Sequence, residues 1–248
     1  MANAQQLVIV VAAANPEPRT GFIDRAVVAA FDAGIEPILC ITKTDVRYPQ
    51  NLLDYYAASG LKIVLSSSSD GLAPSQEGAA GLESAPVQEL LQELLGQVSV
   101  LLGHSGVGKS TLVNALTGSE RATGHVNAVT GRGRHTSSSA LALRPVNANG
   151  DPMEPGTWII DTPGIRSFGL AHVPPETVVE AFVDLAPGAA DCPKACTHAA
   201  QAPECGLEAY VAAGHAGESG PARLESLRKL LLLTPEEGDS EKELGALV

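Results

Sequence analysis

Residues 103–110 read Gly-His-Ser-Gly-Val-Gly-Lys-Ser, with Gly103, Gly108, Lys109 and Ser110 at the spacing of a phosphate loop. The chemistry these residue types supply is the cradling of a polyphosphate. Glycines let the backbone amides of Ser105, Gly106, Val107 and Gly108 close around two phosphates. A helix opening through Lys109, Ser110 and Thr111 adds the partial positive charge of its N-terminus. Lys109 can reach the outer phosphoryl oxygens, where charge develops during transfer, and the Ser110 hydroxyl is a ligand for magnesium. The flanks suit the motif. Val98, Val100, Leu101 and Leu102 form an apolar strand before it, and Leu112, Val113 and Leu116 give one side of a helix after it.

Base selection falls to Thr42-Lys43-Thr44-Asp45, at the end of an earlier apolar run. A carboxylate there can accept both N–H groups of the guanine edge, a donor pair that adenine lacks, so Asp45 is the candidate reader. Lys43 can lie over the ring and pack on the loop glycines. Ser66 and Ser67 end the following strand and can present a backbone N–H to the guanine carbonyl, a plain loop being the alternative reading.

Asp161-Thr162-Pro163-Gly164 closes a later strand. Asp161 at that position can hold magnesium through water, and the Gly164 N–H can sense the outer phosphate. Between this motif and the phosphate loop, residues 117–139 combine Gly124, Gly131 and Gly133 with Arg121, Arg132, Arg134 and His135. They read as a segment that closes over the nucleotide when the outer phosphate is present. Thr136 can complete the magnesium shell, with Ser137 and Ser138 as alternatives. Ile165 follows Gly164 and cannot orient an attacking water; His135, able to donate or accept at neutral pH, is the candidate for that task. A structural or RNA-contacting histidine is the competing reading.

Three of the chain's cysteines cluster late. Cys192, Cys196 and Cys205 with His198 supply three thiolates and an imidazole, a donor set suited to tetrahedral zinc in a region poor in large apolar residues. Such a metal would act as a structural staple.

The elements that must position these groups alternate. Apolar strands are expected over 7–12, 35–41, 61–65 and 98–102, and helices over 23–33, 52–58 and 87–95, where Ile23, Val27, Ala30 and Phe31 share a face of the first helix. Two further strands (140–144 and 158–160) and helices over 174–186 and 222–233 follow, the last with a leucine stripe beside Arg223, Arg228 and Lys229. Near-continuous apolar strands alternating with helices predict an α/β fold with a mostly parallel sheet, covered on both faces. The expected division is a nucleotide-binding domain over 1–172 and a small helical zinc-binding domain over 173–248, ending in an acidic tail. Base-reading residues precede the phosphate loop, which is the order of a circularly permuted P-loop GTPase. A formal net charge of −12 argues against a wholly nucleic-acid-binding surface, but not against a local basic patch. No stretch reaches the length of a membrane span, and the cysteine pattern suits a cytoplasmic protein. A monomer is expected.

Together these motifs resemble the ribosome small subunit-dependent GTPase A family. The resemblance rests on Gly103–Ser110, the Gly-Arg-Gly-Arg-His-Thr run at 131–136, Asp161–Gly164 and the Cys192, Cys196, His198, Cys205 cluster, and spans residues 5–233. It implies GTP hydrolysis to GDP and phosphate, slow alone and stimulated by the small ribosomal subunit, during late maturation of that subunit and its rRNA. It also implies His135 as the catalytic residue, with Lys109 and Thr136 beside it. Two departures are expected to matter. Family members begin with an RNA-binding OB-fold, for which no room precedes the first strand, as in a truncated or naturally shortened chain. Asn is usual where Thr42 stands, so one hydrogen bond tethering the base-reading motif should be lost. Alternative readings are a nucleotide-dependent RNA-binding protein and a GDP-binding scaffold without turnover.

Overall fold

The computed structural model describes residues 3–67, 85–118, 140–147, 149–163 and 169–232. Six strands form one sheet: β1 (Gln6–Ala12), β2 (Glu36–Thr42), β3 (Lys62–Leu65), β4 (Val98–Gly103), β5 (Leu141–Leu143) and β6 (Trp158–Asp161). Their order is β3-β2-β1-β4-β6-β5, parallel throughout except for the antiparallel edge pair β5–β6. Every residue of β1 is buried, which explains why the central strand reads as one apolar run rather than an alternation. On one face, Val8, Val10 and Ala12 meet Leu90, Leu91 and Leu94 of α3 (Ala85–Leu94) and Leu112, Val113 and Leu116 of α4 (Lys109–Thr117). These helices carry their leucines at helical spacing, so each offers one apolar stripe to the sheet.

Contacts divide the chain into two compact units that interleave in sequence. One comprises Met1–Arg19, Ala33–Pro49 and Leu61–Ser167, and the other Thr20–Asp32, Gln50–Gly60 and Phe168–Val248. The second unit therefore gathers α1 (Thr20–Asp32) and α2 (Gln50–Tyr56) with α5 (Pro175–Ala181), a 3-10 helix (Ala186–Asp191), α6 (Gly206–Ala212) and α7 (Gly220–Leu231). Its core is built from Val28, Val178, Phe182, Leu185, Leu207, Leu224, Leu227 and Leu230. No described helix is long and apolar enough to cross a membrane.

Two expectations need correction. Phe31 does not share the buried face of α1; it is 42% exposed, while Ile23 and Ala30 are fully buried. The single helix expected over 174–186 stops at Ala181, because Phe182 leaves helical geometry at φ −92, ψ 73 and drops into the core. A tighter 3-10 turn continues in its place. Arg223, beside the leucine stripe of α7, is itself only 2% exposed.

That burial is the main energetic feature of the second unit. The Arg223 guanidinium makes two parallel hydrogen bonds to Asp184, at 2.8 and 2.9 Å, and a third to Asp24 Oδ1 at 2.7 Å. Its plane also lies 4.5 Å from the Phe182 ring centroid. Tyr56 and Tyr55 donate to the two oxygens of Asp24 at 3.0 and 3.1 Å, and Ser226 adds a further hydroxyl. Burial alone would push the Asp24 carboxyl up, and the cation and three hydroxyls oppose it. Removing one member of such a set leaves an uncompensated buried charge. Arg223→Ala is expected to lower unfolding free energy by about 3–5 kcal/mol, measured by urea titration. Replacing Arg223, Asp24 and Asp184 together with apolar residues of similar volume should restore much of that loss.

Candidate functional site

Parallel pairing puts the carboxyl ends of the strands at one edge. Ala12 pairs with Thr42, Ile41 with Leu65, Val10 with Gly103, and Leu101 with Asp161. The chain leaves β1 toward β2 and β3, then returns to β4 on the other side. The crevice beyond the β1 and β4 ends is thus the topological switch point, where open α/β sheets bind ligands.

The phosphate loop is shaped by glycine. A Cβ on Gly103 would lie 2.6 Å from the Val10 carbonyl oxygen, and Gly106 and Gly108 hold left-handed φ values of 84 and 91. Gly108 precedes α4 without a side-chain cap, so the first amides of that helix are not consumed by a capping side chain. Val107 contributes differently: its side chain is in the hydrophobic core and anchors the loop, leaving only its backbone for a ligand. Lys109 is 8% exposed, and its ammonium pairs with the 3% exposed Asp161 and the Thr162 carbonyl. Thr162 is fixed in turn by its hydroxyl, which donates to Leu101 at 2.6 Å. Ser110 and Thr111, half-buried, occupy the first turn of α4 beside Lys109.

The base-reading turn is tied to this loop by two side chains. The Thr42 hydroxyl reaches the Val107 carbonyl and lies 3.1 Å from that of Val11. Lys43, at a left-handed φ of 57, donates from Nζ to the Gly106 carbonyl at 2.8 Å and to the Asn15 carbonyl. Burial lowers the Lys43 pKa, and Asp45 opposes that shift. Asp45 itself is exposed at the rim of the turn. Thr44, whose role sequence reasoning missed, joins this turn to the end of β3: its N–H and hydroxyl reach the Ser66 carbonyl at 3.2 and 3.1 Å. Asp45 and the Ser66-Ser67 pair are brought to one place by that bridge. Ser66 and Ser67 are 2% and 8% exposed, and the Ser66 hydroxyl is buried without a hydrogen-bond partner among the described residues. His135, Thr136 and Gly164 lie outside the described residues.

In the second unit, one ligand atom from each of Cys192, Cys196, His198 and Cys205 lies within 4.8 Å of the others. This group can hold a metal ion. His198 Nδ1 is 3.6 Å from the Cys192 sulfur and 3.8 Å from that of Cys205, and the Gly206 N–H donates to Cys192 Sγ at 3.2 Å. Burial, then the Arg228 charge, lowers the His198 pKa and favours the neutral ring that ligates metals. Burial and the neighbouring thiols raise that of Cys196, a cost that a cation among the sulfurs removes. The loop is closed by a glycine contact: a Cβ on Gly206 would sit 2.3 Å from the Gly188 carbonyl oxygen. The α6 helix that starts there had no clear periodic signal, being only 7 residues long.

This site and sheet define a class: a phosphate-loop α/β fold whose candidate base-reading residues come before its phosphate loop. The architecture matches solved structures. YjeQ from Thermotoga maritima aligns with a TM-score of 0.61 at 26% identity, over 92% of this chain and 72% of that one. YloQ, described as a circularly permuted GTPase, shares the fold with a TM-score of 0.62 at 22% identity, over 94% and 70%. The family model for the RsgA GTPase matches residues 1–171, and the chain belongs to that family. Among curated relatives, the small ribosomal subunit biogenesis GTPase RsgA of Pseudomonas aeruginosa is 37% identical over 95% of this chain and 64% of its own length. Its counterpart from Azotobacter vinelandii is 36% identical over 95% and 63%. The chain thus spans less than two thirds of the length of these relatives.

Two outcomes test the geometry. Thr42→Val, which leaves the Val107 carbonyl without its hydroxyl donor, is expected to weaken GDP binding by about 1 kcal/mol, roughly five-fold, in fluorescence titration. Asn at position 42, with a longer side-chain amide, should bind GDP more tightly than the wild type; no gain would show that the Thr42 tie is already sufficient.

Proposed function

We propose that this chain hydrolyses GTP to GDP and phosphate as a switch acting on the small ribosomal subunit during its maturation. The observation that carries the reading is the double tie between base and phosphate elements, Thr42 to Val107 and Lys43 to Gly106. It couples a turn carrying a guanine-matching carboxylate, Asp45, to a loop that fits phosphates. The names of the relatives support the partner.

In this mechanism the Gly103–Ser110 backbone and Lys109 hold the phosphates. Lys109 exchanges its Asp161 and Thr162 partners for phosphoryl oxygens, keeping its charge compensated throughout. Ser110, Asp161 and Thr136 are oxygen donors of the kind magnesium takes, and that ion, when bound, neutralises charge on the outer phosphates. His135 orients the attacking water, and the Gly164 N–H senses the outer phosphate. Lys43 covers the base while Asp45 accepts from its edge, and Ser66-Ser67 supplies an N–H to its carbonyl. Cys192, Cys196, His198 and Cys205 would hold zinc, and with four protein ligands the ion would act as a structural staple rather than in the chemistry. The protein works in the cytoplasm as a monomer, with nucleotide state controlling its hold on rRNA. Its nucleotide-binding domain is the chain to about residue 172 apart from α1 and α2, which group with the helical zinc-binding region that follows.

GTP turnover measured with and without purified small subunits, in wild type and His135→Ala, tests the whole reading. Strong stimulation that the variant lacks is expected. Tight GDP binding with no turnover under either condition would favour the scaffold reading instead. Metal analysis should find zinc stoichiometric with the chain, and Cys205→Ser should lose it together with a cooperative thermal transition of the second unit.

A further inference from the structure

The segment after β1, residues 13–17, is held against the base-reading turn along its whole length. The Ala13 N–H donates to the Thr42 carbonyl at 2.8 Å, and the Asn15 carbonyl accepts from Lys43. Arg47 then grips both ends of the segment. Its guanidinium meets Glu17 in a two-pronged contact, at 3.0 Å to Oε1 and 2.6 Å to Oε2, and also donates to the Ala13 carbonyl. The turn between these anchors is closed by the Val46 N–H, 3.0 Å from the Lys43 carbonyl. Asp45 is inside that turn, with Lys43 fixed on one side of it and Arg47 on the other.

Arg47 and Glu17 are 49% and 69% exposed, so this ion pair has little to offer global stability. Two-pronged Arg–carboxylate contacts are directional, however, and hold a backbone segment at a set angle as a single hydrogen bond does not. Lys43 shares its ammonium between this segment and the phosphate loop, so the phosphate side of the site has its own anchor at Gly106. The far side of the turn, where Asp45 leads into Arg47, is tied to the segment after β1 through the Arg47 guanidinium, on Glu17 and on the Ala13 carbonyl.

We infer that Arg47 and Glu17 are positioning residues for base recognition: their ion pair aims Asp45 at the guanine edge and sets base discrimination, with little effect on phosphate binding. This rests on the guanine-nucleotide reading above.

The test compares GDP, IDP and ADP affinities of the full chain in wild type, Arg47→Ala, Glu17→Gln and the charge swap Glu17→Arg with Arg47→Glu. IDP keeps the ring N–H but lacks the exocyclic amino group that Asp45 accepts from. The single variants are expected to lose roughly two- to five-fold in the GDP-over-IDP preference, with IDP weakened less than GDP, ADP affinity nearly unchanged and the melting temperature within about a degree. The swap should recover a good part of that preference, and raised salt should erode it in the wild type but not in Arg47→Ala. An unchanged GDP-over-IDP ratio, or an equal loss for all three nucleotides, overturns the proposal while the guanine reading survives. A wild type that binds ADP as well as GDP overturns both.

Discussion

Parallel strand pairing is the constraint on which the nucleotide-binding unit depends. Because β2, β1, β4 and β6 all run the same way, each must deliver its following loop to the same edge, and register decides what meets what. Thr42 is level with Ala12, and Gly103 with Val10, so the base-reading turn and the phosphate loop emerge as neighbours. Little further machinery is needed to join them: a hydroxyl and an ammonium cross the gap. Chain order is irrelevant to this geometry. That is why the phosphate loop can come third among the site's segments, whereas a sheet with mixed directions at its centre would scatter them to both edges.

Solvent access separates three ion pairs that a sequence would render alike. Arg223 with Asp24 and Asp184 is excluded from water and saturated with donors, so it behaves as a structural knot. Lys109 with Asp161 is also buried, yet its partners are few, one carboxylate and one carbonyl, and its cation sits at the end of a flexible stem. Arg47 with Glu17 lies in solvent, where strength is lost but direction remains. Pairs of the same residue types thus sit in three different dielectric surroundings.

Much of this was legible in the sequence, for definite reasons. Gly103, Gly108 and Lys109 are recognisable because steric demands leave glycine as the practical residue where φ is positive or a carbonyl lies 2.6 Å away. The strands are recognisable because a fully buried parallel strand has no polar face to confuse the pattern. What could not be read depends on contacts between distant residues. Arg223 is separated from Asp24 by 199 positions in sequence, and on its own helix it looks like an ordinary surface arginine. Arg47 and Glu17 are similarly anonymous until the β1–β2 register sets them opposite each other. The end of α5 was missed because Phe182 leaves the helix for the core without the glycine or proline that marks a stop at that position. The cysteine cluster stood out by composition alone, but the role of Gly188 and Gly206 in closing its loop is a matter of packing.

The Arg223 knot also bears on which piece of this protein is portable. The family match ends at residue 171, yet Asp24 finds its counter-charge and a hydroxyl donor on α7, at Arg223 and Ser226. A fragment cut at that limit would carry a carboxylate made for the interior, with no counter-charge, on a helix stripped of its apolar cover. Sequence kinship and folding autonomy therefore have different borders here. In transplanting the nucleotide site to another protein, the last helices must travel with it.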